Sequence, residues 1–188
     1  MNAVCAAAAA TSDLGEVVIV MHATTNDDTC AIHRGTRVRK MHTSRRDAFR
    51  SLGVDPIGVV EYPSRKVTLA KDAVRRGTRT LALHDKLDPH CALIQFYPGM
   101  APEILKAYEG YHGLVIAGTG LGHTGTTLIP PLKQLIKDGT LVVMTTQCMN
   151  GRVCDRVYDT GRDLLDAGVI EGGDMLPEAA LGKLMWLL

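Results

Sequence analysis

The last hundred residues of this chain alternate between β-branched runs and helix-like segments, and that order limits the fold more than any other feature. Cys91–Tyr97 reads as a strand, and Ala101–Gly110 as a helix with Pro102 in its first turn. Gly113–Ala117 is a second strand. Thr127–Asp138 is a helix with Pro130-Pro131 near its start and Gly139 as its C-terminal stop. Thr140–Thr146 is a third strand, Gly161–Ala167 a helix, and Pro177–Leu188 a final helix. Strands that alternate with helices pair in parallel, because each crossover must carry the chain back to the same edge.

The front of the chain reads differently. Residues 2–11 have the alanine-rich composition of a helix, and Ser12-Asp13-Leu14-Gly15 ends it. Glu16–His22 is a continuous apolar run, predicted as a strand buried on both faces of a parallel sheet. A strand of that kind needs neighbours on both sides, yet one helix alone precedes it. The first lobe is therefore expected to be incomplete, with a strand edge prone to pairing. Thr24–Asp28 is a turn, Cys30–Arg39 is predicted to fold back as a hairpin over Arg34-Gly35, and Ile57–Tyr62 is a further strand. The expected organisation is an α/β fold in two lobes. Residues 1–62 form the incomplete lobe, 63–85 a linker with at most a short strand at 66–69, and 86–188 a complete lobe.

Composition narrows the function classes. With 21 Lys and Arg against 20 Asp and Glu, the net charge of +1 argues against a general nucleic-acid binder. Cys5, Cys30, Cys91, Cys148 and Cys154 are odd in number and scattered, which favours a reducing, cytoplasmic setting over a disulfide framework. No apolar run reaches the length of a membrane span, and the opening residues lack the basic flank of a signal peptide. The histidines His22, His33, His42, His84, His90 and His112 have no metal-ligand spacing, so no metal is expected.

The densest chemistry lies between Arg34 and Arg50, where seven Lys and Arg residues face the single acid Asp47. Lys40 is the one lysine of the run. A crowded or desolvated ammonium shifts its pKa readily and suits proton transfer. The plainer readings are a solvated strand end or a phosphate-binding patch.

Lys40-Met41-His42-Thr43-Ser44, followed by Phe49-Arg50-Ser51, resembles the segment of asparaginases that holds an active-site lysine. Further similarity runs through Asp85-Lys86-Leu87, Phe96–Met100, Gly118–His123 and Asp174–Glu178. Together these motifs resemble the D subunits of archaeal glutamyl-tRNA(Gln) amidotransferases, members of the asparaginase/glutaminase superfamily, over essentially the whole chain. The resemblance implies an asparaginase-like fold of three-layer parallel sheets in two lobes. It also implies a threonine-nucleophile amidohydrolase in which Lys40 belongs to a relay with a second threonine and an aspartate. Asparagine or glutamine would be the ammonia donor, and a GatE-type partner subunit using ATP and Mg would convert Glu-tRNA(Gln) to Gln-tRNA(Gln). The chain itself would hold no cofactor and would form a homodimer, with His123 reaching substrate across the subunit interface.

Neither a Thr-Gly-Gly-Thr nor a Thr-Asp-Thr pattern occurs in these residues. The chain therefore reads as the C-terminal portion of such a subunit, expected to be inactive alone. A truncated stand-alone asparaginase and a non-catalytic assembly remnant are the other readings. The glycines of Gly118–Gly122 lack the third glycine and the acidic residue of a dinucleotide fingerprint, so a plain turn is expected there. Cys148 has no histidine nominated to activate it and reads as a small hydrophobe.

Overall fold

Asn2–Ala10 forms helix α1, which buries Cys5 and Ala9, one turn apart on a single face. Its last carbonyls are met by hydroxyls: Thr11 Oγ1 donates to Ala7 and Ala8, and Ser12 Oγ to Ala9 at 2.7 Å. In this computed structural model residues 1–78 and 80–188 are described. They divide into two units, Met1–Leu83 and His84–Leu188. No helix among the described residues is long and apolar enough to cross a membrane.

The sheet of the first unit is antiparallel, which corrects the expected parallel one. Strand β1 (Val18–His22) pairs with β2 (Thr29–Arg34), from Val18 opposite Arg34 to His22 opposite Cys30. The cause is the turn. Asp28 Oδ1 accepts from the Thr29 N–H at 2.6 Å and from Thr24 Oγ1 at 3.0 Å. So short a connection can return a strand only alongside its predecessor. An apolar β-branched run is compatible with either pairing, and β1 in fact lies at the edge with only Val20 and His22 buried.

The predicted hairpin over Arg34-Gly35 is displaced as well. Gly35–Arg37 makes one 3-10 turn, and β3 (Val38–Lys40) pairs with β4 (Phe49–Ser51) in a separate ribbon. β5 (Gly58–Glu61) and β6 (Val67–Leu69) complete the main sheet in the order β1-β2-β5-β6. The first part of the segment expected as a linker over 63–85 is thus built into this unit, whose bound falls at Leu83; Arg79 lies outside the described residues. β6 extends the sheet, Ala73 joins the core with Ile32, Ile57 and Val60, and Gly15 N–H bonds Val74 O at 2.9 Å.

The second unit follows the predicted order closely. Strands β7 (Cys91–Gln95), β8 (Gly113–Gly118), β9 (Leu141–Thr146) and β10 (Ile170–Glu171) are all parallel, ordered β10-β9-β8-β7. Every residue of β8 is buried, as a central parallel strand requires. Leu114 and Ile116 of β8 face one layer, with Leu132 and Leu135 of α2 (Ile129–Lys137) and Leu164 of α3 (Asp159–Asp166). The intervening Val115 faces Ala180 and Leu184 of α4 (Pro177–Leu187) on the opposite layer. The expected helix at 101–110 is a 3-10 segment, Pro102–Tyr108. Gly139 stops α2 with φ +106°, and Thr140 N–H closes on Leu135 O at 3.0 Å.

Candidate functional site

In the first unit four arginines of the basic run are paired, two with acids from other elements and two with Asp47 of the run itself. Arg34 pairs with Glu16 at 2.9 Å and Asp72 at 3.1 Å, and Arg46 with Asp27 at 2.8 Å. Buried Asp47 receives Arg45 through Nε at 2.9 Å and Nη2 at 2.7 Å, and also Arg50. The Arg45 fork holds the Asp47 carboxyl below its ordinary range. Burial pushes the Glu16 carboxyl up, but bonds from Arg34 and the Val74 N–H outweigh it, and the pKa is lowered. A phosphate patch needs unpaired cations, so this arrangement weakens that reading.

These pairs brace the β3–β4 ribbon that presents Lys40. His42 Nδ1 accepts the N–H groups of Ser44 and Arg45, both at 3.1 Å, and Met41 N–H bonds Ala48 O at 2.7 Å. Beneath the ribbon, buried His33 meets Ser51 Oγ through Nδ1 at 2.8 Å, tying β2 to β4. Burial, with the Arg50 charge nearby, lowers the His33 pKa from 6.5 and keeps the ring neutral. Lys40 is the last residue of β3, opposite Phe49, and is exposed. No hydroxyl or carboxylate among the described residues hydrogen-bonds or pairs with it.

In the second unit the chemistry gathers where β8 and β9 end, at the C-terminal side of a parallel sheet, the usual ligand end. A cavity of about 620 Å³ is lined by Thr119–Leu121, His123 and Tyr158–Thr160. The loop is a closed turn: Thr119 N–H bonds His123 O, and His123 N–H bonds Thr119 O, both at 2.9 Å. Gly120 and Gly122 adopt φ of +52° and +109°, the left-handed region that glycine enters without penalty. Thr146 Oγ1 clamps Gly120 O at 2.5 Å, and Cys154 N–H holds Leu121 O at 2.8 Å. The loop leads into a 3-10 turn at Thr126 and not directly into a helix, in keeping with a plain glycine turn. His123 is half-buried, edge-on to Tyr158 at 5.3 Å, and its Nε2 is shielded without a partner. Cys148 is exposed at the end of β9.

Sequence reasoning missed Asp155, which reads as one more charge in a polar loop. It is fully buried, and neither carboxylate oxygen has a partner. Burial, aided by the Glu171 charge, pushes its pKa up to about 6. It lies against the glycine loop: a Cβ on Gly122 would stand 3.0 Å from Asp155 Oδ1. Its backbone N–H bonds Glu171 Oε1 at 2.9 Å. Among the described residues, Asp88, His90 and His112 form a metal-type ligand set, and they lie at the opposite end of the strands.

The parallel unit, the preceding antiparallel unit and the lysine-bearing ribbon together match one family. Residues 1–75 match the asparaginase N-terminal family and residues 90–188 the glutaminase/asparaginase C-terminal domain. The chain belongs to the glutaminase/asparaginase family. Curated relatives include the glutamyl-tRNA(Gln) amidotransferase subunits D of Methanosarcina barkeri, 57% identical, and Archaeoglobus fulgidus, 58% identical. Each alignment covers all of this chain and 45% of the relative, so the chain spans less than half their length. Among solved structures, the thermostable L-asparaginase of Thermococcus kodakarensis superposes with a TM-score of 0.84 at 32% identity, over 98% of this chain and 54% of that one. L-asparaginase I of Vibrio cholerae gives 0.70 at 31% identity, over 84% and 48%.

Proposed function

We propose that these residues are part of the asparaginase-type subunit of a glutamyl-tRNA(Gln) amidotransferase, working in the cytoplasm. One observation supports this over a stand-alone asparaginase. Identity to subunits of that name is 57–58% over the whole chain, against 31–32% to the two asparaginase structures. The subunit would release ammonia from asparagine or glutamine. A GatE-type partner, using ATP and Mg, would then capture it to turn Glu-tRNA(Gln) into Gln-tRNA(Gln).

In this reading Lys40 is a relay member. A threonine hydroxyl from outside these 188 residues attacks the side-chain amide carbon, and its proton passes through the relay to the departing nitrogen. Ammonia leaves, and water then cleaves the resulting ester. A hydroxyl is a poor nucleophile until a neighbouring group takes its proton, and Lys40 would serve in that transfer only with the threonine and aspartate of the relay packed against it. His123 would reach substrate bound by a second copy of the chain.

The test uses the full-length protein together with its partner subunit. Lys40→Met is expected to lower kcat for ammonia release by about 10²-fold or more, with KM little changed. The 188 residues alone are expected to give no turnover. Ammonia release by the complex without any Gln-tRNA(Gln) would favour the stand-alone asparaginase. Full activity of the Lys40 variant would remove the lysine from the mechanism.

A further inference from the structure

Asp88, His90 and His112 lie where β7 and β8 begin, at the end of the strands away from the Thr119–His123 loop, and the fold gathers them. His90 directly precedes β7 and His112 directly precedes β8, and the register pairs Cys91 with Gly113, so the two histidines are neighbours across the sheet. Their rings lie 5.2 Å apart. Asp88 reaches both: Oδ2 lies 2.6 Å from His112 Nδ1, and Oδ1 lies 3.4 Å from His90 Nδ1. One ligand atom from each residue falls within 4.8 Å of the other two. Tetrahedral zinc with bonds of about 2.0–2.1 Å sets its ligand atoms roughly 3.3 Å apart, so small side-chain rotations suffice.

We propose that Asp88, His90 and His112 bind one divalent transition-metal ion, Zn2+ by preference, as a structural site that ties β7 and β8 to α4. The backbone is already set for it. Asp88 N–H bonds Met185 O of α4 at 2.7 Å, His90 N–H bonds Asp88 Oδ1 at 2.8 Å, and His112 N–H bonds His90 O at 2.8 Å. Asp88 thus already faces both rings with its two carboxylate oxygens. The proton that His112 Nδ1 shares with Asp88 leaves to solvent, or moves to Nε2, as the lone pair turns to the ion. Both histidines are exposed, which leaves the remaining coordination positions to water. Cys91 is no competitor. Its thiol packs towards Leu184 and Gly113, on the α4 side of the sheet. The six residues of β8 put the site about 20 Å from the Thr119–His123 loop, too far to touch a substrate there.

Titration calorimetry of the purified chain with ZnCl2 is expected to show one equivalent of saturable binding and a rise in Tm. His90→Ala and His112→Ala are each expected to weaken binding by about 10-fold or more. Their exposed side chains leave the fold intact, which circular dichroism checks. Co2+ in the wild-type chain is expected to give visible d–d bands without a thiolate charge-transfer band, and this readout needs no variant. Unchanged affinity in the histidine variants, a thiolate band, or no saturable binding overturns the site.

Discussion

Asp155 is the residue whose environment most departs from what its type prefers. A buried carboxylate with no donor resists ionisation, so the native chain keeps its proton up to about pH 6, while the ordinary value is 3.8. Between those limits the folded state binds more protons than the unfolded one, and stability falls as pH rises. Asp155→Asn keeps the shape and removes the charge. Its Tm advantage over wild type is expected to be near zero at pH 4, to grow through pH 6, and to level off above pH 7. Thermal melts across that range check it, and a pH-independent difference would contradict the assignment. At this scale the sequence nominates residues where a motif names them, as it does Lys40 and His123. It was silent where solvent exclusion decides the chemistry. Nothing in Cys154-Asp155-Arg156 marks the middle residue as buried, and nothing in the basic run reveals that Glu16, Asp27 and Asp72 come in from other elements to pair with Arg34 and Arg46.

At the scale of elements, α3 shows packing overriding propensity. Gly161 sits inside this helix, where alanine would be preferred by about 1 kcal/mol. A Cβ there, however, would stand 2.1 Å from the Asp155 carbonyl oxygen, a backbone atom that cannot rotate aside. Gly161→Ala is therefore expected to destabilise the chain by about 1–3 kcal/mol net, read as a lower Tm by differential scanning calorimetry. A gain in Tm would show that helix and loop separate easily. The elements of the second unit were readable because length, periodicity and punctuation agree there: Pro177 opens α4 and Gly139 closes α2. The first unit was misread at two points for one reason. A local pattern does not name the partner strand: the apolar run of β1 passed for a parallel strand, and Arg34-Gly35 was read as a hairpin turn joining β3 to β2 although Phe49–Ser51 is its partner. β10 escaped because two residues carry no periodicity.

For the whole molecule, the division between two units follows from a stretch with little to bury. Residues 81–88 form neither helix nor strand, and Leu81, Leu83 and Leu87 are among the most exposed apolar side chains described. Limited trypsin digestion is expected to cut first after exposed Lys86, giving fragments 1–86 and 87–188 by mass spectrometry. A first cut at Arg45 or Arg46 would mean that the ion pairs do not hold the ribbon. The existence of two lobes was legible in the change of pattern along the chain. The boundary was not, because the packing of Ala73 and β6 against the first sheet depends on residues distant in sequence. The distribution of the thiols has a practical outcome. Cys5 and Cys30 are sealed, with the Cys30 thiol pushed up to about 12, while Cys148 stands in the open two residues beyond the hydroxyl that clamps Gly120. A maleimide dye under mild conditions will therefore settle chiefly on Cys148, giving a fluorescent reporter beside the glycine loop without engineering a single codon.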